Sequence, residues 1–488
     1  MWRGTGLYGS WVARSLGSWG YNRGMRARVA IAVIIVAAGL ALVWSQTNER
    51  QVSLVITGGT VVTVDPADRI IVNGAVAIDG ADIVAVDAAD VIRQRFRGRE
   101  TIEAAGRVVL PGLINTHTHA PMALYRGLAD DLMLMEWLEQ YIFPAEAKTV
   151  SPEFVRAGTR LAALEMIQSG TTTYADMYYF EEEIAKETRA AGLRGVLGQT
   201  IIQFPVADAK TPADALARTE AFITAFKGDP LITPAVAPHA MYTLDGPTLT
   251  AARQLALKHG VPTLIHLAET RDEVRGSEEK FKASPVQYLD RLGFLGRGVL
   301  GAHAVWVSDA DIAVLKARGV GLSHNPESNM KLASGTAPVT KYLDKRLALG
   351  LGTDGAASNN DLDMFEAMRL ASFLQKVQTG DPRAVSARQA LAMATVGGAR
   401  ALGMEQAIGS LEPGKRADVI IVGMRSARQT PMYDPVSHLV YVTRGDDVQT
   451  TVVHGKVLMR DRKVLTLDEG AVLADARAWA EKVRAAVN

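Results

Sequence analysis

An α/β chain is predicted, built on a TIM-like (β/α)8 barrel, with a small composite β-sandwich assembled from both ends of the chain and a hydrophobic anchor or signal segment in front. Three observations predict it. Eight short apolar runs alternate with amphipathic or alanine-rich stretches across residues 111–409, the rhythm of β/α units. Strand-and-turn material brackets that middle on both sides, over 51–110 and 410–470. Residues 29–44 (VAIAVIIVAAGLALVW) carry no charge and follow Arg23, Arg26 and Arg28.

The first element is the cationic segment 1–50, with its apolar helix at 29–44. Six arginines and one glutamate give it +5, so the +1 of the whole chain leaves −4 on the remainder. Sixteen helical residues span roughly 24 Å against about 30 Å of hydrocarbon, which is short for a crossing. No small-x-small cleavage site follows the run, which favours an uncleaved anchor. Arginines on its N-terminal side predict a membrane-anchored or exported protein with an extracytoplasmic catalytic domain, periplasmic in a Gram-negative cell. Gly4, Gly6 and Gly9 match a dinucleotide-binding spacing, but no strand precedes them and no βαβ unit follows.

The sandwich strands come next: 53–56 before Gly58-Gly59, 61–64 before Asp65-Pro66, and 75–78 before Asp79-Gly80. Their partners are expected at 417–422 and 452–458. Barrel strands are read at 108–115, 171–176, 194–197, 231–238, 262–266, 299–303, 319–324 and 347–354, with helices such as 152–168 and 247–258 between them. A doubly wound sheet would have the same strand count. Residues 471–488 read as a closing helix.

Composition narrows the chemistry. The chain has 488 residues, 48% hydrophobic and 22% charged, and no cysteine. The near-neutral balance offers no footprint for nucleic acid. Without cysteine there is no disulfide scaffold, thiolate nucleophile or cysteine-ligated metal, so a metal site must use histidine and carboxylates. Six of the eight candidate strands run into such groups: His117 and His119, His239, His266 with Glu269, His303, His324, and Asp354. Residues i and i+2 of a strand point to one side, so His117 and His119 can serve one ion. Imidazole with carboxylate suits Zn2+, with Fe2+ and Mn2+ open. A lone histidine is more often structural, and His259, His438 and His454 are read that way.

The segments PGLINTHTH (111–119), HLAET (266–270), SHNPESNMKLASG (323–335) and GTDG (352–355) resemble the amidohydrolase superfamily, most closely its methylthioadenosine/S-adenosylhomocysteine deaminase group. Residues 122–146 and APHAMYT (237–243) strengthen that likeness, which extends from about Leu54 to Val457. It implies a metal-dependent hydrolase barrel with one divalent ion on His117, His119, His266 and Asp354. Water acidified by the ion would add to the amino-bearing carbon of an adenosine-type ring, and ammonia would leave. His303 and Asp354 would orient that water and take its proton, and Glu269 would protonate a ring nitrogen. Glu146 would meet the ribose hydroxyls and His239 the substrate, with Trp137, His324 and the loop 325–335 shaping the pocket. The fourth strand ends at His239 and not at lysine, which favours one metal over two. In one place the chain departs from the group: the arginine usual near the third strand is missing from 195–205 (GVLGQTIIQFP), and Arg194 comes too early to replace it.

The expected activity is therefore metal-dependent hydrolytic deamination of an adenosine-type nucleoside. The alternatives are another N-heterocycle amidohydrolase, guanine deaminase-like or chlorotriazine hydrolase-like, and a membrane-anchored binding protein without activity. The expected partners are a small purine nucleoside or related heterocycle and, through the N-terminal segment, a membrane; homo-oligomerisation stays open.

Overall fold

A computed structural model describes Arg28 and residues 49–487. The apolar run 29–44 lies outside the described residues, as does the segment before it apart from Arg28. Among the described residues, no helix is long and apolar enough to cross a membrane.

Eight strands form the barrel: β6 (Leu113–Thr118), β7 (Thr171–Tyr178), β8 (Arg194–Ile201), β9 (Ile232–Pro238), β10 (Thr263–Leu267), β11 (Val299–His303), β12 (Gly321–His324) and β13 (Ala348–Leu351). Each pairs in parallel with the next, and β13 returns to β6 with Leu351 opposite Asn115. That closure excludes the doubly wound alternative. Parallel strands under a helical shell are covered on both faces, and every residue of β7 and β8 is buried. Local signals delimit the connecting helices. In helix Pro152–Ser169, Ser151 accepts from the Phe154 amide, Pro152 takes the first turn, and Gly170 ends the helix at φ 87°.

The expected strand at 108–115 is two strands. β5 (Arg107–Pro111) belongs to the second sheet and β6 to the barrel, with Gly112 between them. A Cβ at Gly112 would sit 2.1 Å from Thr172 Oγ1, so only glycine lets the chain cross there. A continuous apolar run hides this break, because both strands are buried.

The outer strands also depart from expectation. β1 (Arg50–Val62), β2 (Ile70–Asp79), β3 (Asp82–Ala88), β4 (Phe96–Glu103) and β5 join β14 (Val419–Gly423), β15 (Val448–Val453), β16 (Lys456–Arg460) and β17 (Lys463–Val464) in one nine-stranded sheet, where two facing layers were predicted. The reason lies in β5, which pairs in parallel with β1 and antiparallel with β14, so the two ends of the chain share one hydrogen-bonded ladder. The sheet curls: Asp82 at the start of β3 bridges Arg416, just ahead of β14. Leu54, Ile56, Val76, Ile83, Val419 and Val452 fill the interior of this curl.

A buried ion pair joins sheet to barrel. Arg194, at the start of β8, donates to both carboxylate oxygens of Asp418, at 3.0 and 3.2 Å. It therefore stands at the opposite end of β8 from the catalytic rim. The last helix, Glu469–Val487, packs on Pro152–Ser169 through Trp479 against Phe154 and Asp475 against Arg160.

Candidate metal centre and active site

The C-terminal rim of the barrel gathers the predicted ligands. His117 lies near the end of β6 and His119 just beyond it, with ring centroids 4.9 Å apart, and His266 and His303 lie at the ends of β10 and β11. Asp354 follows β13. Its Oδ1 lies 3.2 Å from Nε2 of both His117 and His119. Donor atoms of His117, His119 and Asp354 converge within 4.8 Å, as do those of His117, His266 and His303. The backbone is strained around them: Ala268, His303, Ala304 and Asp354 all have positive φ, from 46° to 72°. Non-glycine residues in that region cost energy and persist only where neighbours hold them. The Asp354 amide donates to the His117 carbonyl at 2.9 Å, and the Ala304 amide to the Leu267 carbonyl at 2.9 Å.

Hydrogen bonds behind the ligands decide which atoms face inward. His119 Nδ1 lies 2.7 Å from the Met177 carbonyl, and His266 Nδ1 lies 2.8 Å from that of His239. Carbonyls only accept, so both Nδ1 atoms carry hydrogen and both Nε2 atoms present lone pairs. Those two Nε2 atoms are 3.3 Å apart. Asp354 Oδ2 accepts from Ser328 and Ser358 at 2.7 and 2.9 Å, turning Oδ1 to the histidines. His117 Nε2 and Asp354 Oδ1 are buried without an aligned hydrogen bond of their own. Converging lone pairs and a carboxylate need a positive charge between them, and the residues present fit one divalent cation.

The electrostatics separate the three histidines. Burial pushes His117 down to about 4 and His266 well below the usual histidine range, so both are free bases. For His119 burial is outweighed by the hydrogen bond and charge of Asp354, which lift it to about 9, so without a cation its Nε2 holds a proton toward Asp354 and a bound cation would take that proton's place. Burial would raise Asp354, yet His117 and His119 hold it well below the ordinary carboxylate value.

One cavity adjoins this centre. His119, His266, His303 and Asp354 line it together with Glu269, Glu146, His239 and Trp137. Glu269 is buried, with Oε2 3.8 Å from His303 Nε2 and Oε1 accepting from Ser334 at 3.2 Å. Burial raises its pKa, His303 opposes, and the charge of Asp354 adds to the rise. His303 Nδ1 meets Asn329 Oδ1 at 2.9 Å and Asn325 Nδ2 at 3.3 Å, contacts that fix the ring with Nε2 toward Glu269. Glu146 accepts from Tyr178 Oη at 2.6 Å, and burial lifts its pKa to about 7. His239 bonds Thr243 through Nδ1, and burial pushes it down to about 3. Trp137 opens a π-helical turn, Trp137–Ile142, an element frequent at functional sites.

His324 differs from its expected role. It closes β12 fully buried, with neither ring nitrogen partnered, and it is not among the residues lining the cavity.

Other residues emerge only from the structure. Glu273 accepts from the amides of Ala268 and Glu269, at 2.9 and 2.7 Å, and so clamps the strained turn that carries Glu269. Its one sequence signal was its position four residues past Glu269. Asp176 receives Thr118 Oγ1 and the Ala120 amide on either side of His119. Ser328 fell inside the 323–335 segment without a role of its own, and Ser358 had no signal at all.

A closed parallel barrel whose rim aims four histidines and one aspartate at a common point is the architecture of a metal-dependent hydrolase. The chain belongs to the amidohydrolase family, whose model matches residues 108–458. It is 47% identical over 437 residues to the 5-methylthioadenosine/S-adenosylhomocysteine deaminase of Syntrophobacter fumaroxidans, covering 90% of this chain and all of that one. To the 5'-deoxyadenosine deaminase of Methanosarcina mazei it is 45% identical, over 89% of this chain and 99% of the relative. Among solved structures, a zinc-bound adenosine deaminase from Xanthomonas campestris superposes with a TM-score of 0.88 at 38% identity, over 90% of this chain and all of the other.

Proposed function

We propose that the protein deaminates adenosine-type nucleosides hydrolytically, with Zn2+ as its ion. The observation that carries the reading is Glu269: a buried carboxyl with a raised pKa, 3.8 Å from His303, on the wall of the cavity that holds the ligand cluster. His117, His119, His266 and Asp354 would hold the ion, which when bound supplies water acidified from 15.7 toward about 7. His303, held at Nδ1 by Asn329 and Asn325, would orient that water and, together with Asp354, take its proton. Glu269 gives its proton to the ring nitrogen beside the amino-bearing carbon. Water would add there, the proton held by His303 and Asp354 would pass to the amino group, which leaves as ammonia, and the added hydroxyl would return its proton to Glu269, leaving a carbonyl on the ring. Glu146 binds the ribose hydroxyls, while Trp137 and His239 hold the remainder of the nucleoside.

Loss of the adenine absorbance and release of ammonia, measured with 5'-methylthioadenosine, S-adenosylhomocysteine and adenosine, test this reading. Glu269→Gln is expected to lower kcat by about 10²–10⁴-fold at unchanged zinc content. Absence of ammonia from every 6-aminopurine nucleoside would overturn it. We propose in addition that residues 29–44 anchor or export the chain, on the strength of the uncharged run behind three arginines. Recovery of the full chain solely in the soluble cytoplasmic fraction would refute that.

A further inference from the structure

Two annexes open from the substrate cavity, on different sides. One shares Phe143, Glu146 and Tyr179 with it and continues along Phe204, Pro205, Val206 and Ala207. Among the described residues lining this annex none is cationic, and Glu146 is its one charged group. The rings of Phe143 and Phe204 meet edge to face, with centroids 5.4 Å apart. The loop that carries Phe204 is tied down: the Gln203 amide donates to the Thr243 carbonyl at 3.1 Å, and the Val206 amide to that of Ala209 at 2.9 Å. Arg218 does not line the annex and is engaged elsewhere, with Glu182 and Asp208 and over the ring of Phe180.

The other annex lies on the Glu269 side. It shares Leu134 and Leu332 with the cavity and includes Ser334, which bonds Glu269, and Arg271, whose guanidinium stacks 4.1 Å from the Trp306 ring centroid. A nucleoside whose ribose hydroxyls sit on Glu146 has its 5' carbon one bond from the hydroxyl-bearing ring, so its 5' substituent enters the first annex. Only the base reaches toward the second.

Resting on the deaminase reading above, we infer that the Phe143–Phe204 annex selects nucleosides with a small apolar 5' substituent, a methyl or a methyl thioether, over those with a charged 5' tail. An apolar wall rewards each methyl-sized group, and it offers the tail's carboxylate no cationic partner and, beside Glu146, no favourable field.

The experiment compares kcat/KM of the zinc-loaded full chain for 5'-methylthioadenosine, 5'-deoxyadenosine, adenosine and S-adenosylhomocysteine. The two apolar substrates are expected to exceed S-adenosylhomocysteine by at least ~10-fold, within the 10- to 200-fold span typical of one methylene in a pocket. Equal or better use of S-adenosylhomocysteine overturns the inference while leaving the deaminase reading intact, whereas no turnover of any of the four overturns that reading itself. Phe204→Arg, which puts a cation in the annex, is expected to narrow the preference by at least ~10-fold, chiefly through the KM for S-adenosylhomocysteine. An unchanged ratio in that variant removes Phe204 from the role. Arg271→Ala is expected to leave the ratio unaltered; a selective loss with S-adenosylhomocysteine would send the tail to the second annex and refute the assignment.

Discussion

Replacing Glu146 with glutamine should stabilise the protein while impairing it. Burial lifts this carboxyl from an ordinary 4.5 to about 7, against the opposing effects of the Tyr178 hydroxyl and His119. The folded state therefore keeps a proton that the unfolded chain releases, and the associated stability is full below about pH 4.5 and lost as pH rises through 7. A gap of about 2.5 pH units at ~1.36 kcal/mol each is about 3 kcal/mol. Glutamine mimics the protonated acid, keeps an acceptor for Tyr178, and carries no such pH dependence. With an unfolding entropy of ~2.1 cal/mol/K per residue, 3 kcal/mol is roughly 3 °C in a fold of this size. Thermal melts of both proteins from pH 5 to pH 8 test this. The variant's advantage should grow from near zero to roughly 3 °C. At pH 8, where Glu146 is ionised, the variant's kcat/KM should lie about 10- to 100-fold below the parent's, the worth of a charged hydrogen bond to ribose, and the deficit should shrink as pH falls below 7. A constant or inverted Tm difference would refute the burial argument, and unimpaired turnover would remove Glu146 from the ribose.

Two other perturbations probe the metal site and the scaffold. Ser358→Ala takes one of the two hydroxyls from Asp354 Oδ2 and should weaken zinc affinity about 10- to 100-fold, read by competition with a chromophoric chelator; unchanged affinity would show that Ser328 alone orients the carboxylate. Asp418→Ala leaves Arg194 buried and unpaired between sheet and barrel, so stability should drop by about 3–5 kcal/mol in thermal unfolding. Since Arg194 sits at the start of β8, away from the rim, kcat of the folded variant should hold, and a Tm change under 1 °C would mean that the ion pair is dispensable.

Much of the site was legible because ligands at barrel rims lie next to strands that announce themselves as apolar runs. His117 and His119 declare a shared face by their spacing of two, and His266, His303 and Asp354 each fall at the end of a run or just after one. The strand 108–115 was misread for a related reason: two buried strands separated by a single glycine have the hydropathy of one. The outer β domain was placed correctly at both ends of the chain, but not its single ladder, because alternation reveals which residues are inward and not which backbone they bond. For His324 the strand end was read correctly, but an identical position on another strand can face either ligand space or packed core.

What the sequence determined by itself was therefore the donor set and its rim location, since the lack of cysteine leaves histidine and carboxylate as ligands and short-range periodicity marks strand ends. Tertiary structure alone decided how those donors are aimed. Ser328 and Ser358 turn Asp354, Asn329 fixes the ring of His303, Glu273 clamps the turn that carries Glu269, and Asn115 bonds Thr353 beside Asp354 from 238 residues away. Donor type is a property of one residue, whereas a lone pair's direction depends on the hydrogen bond behind it, and most of those partners meet only when the barrel closes.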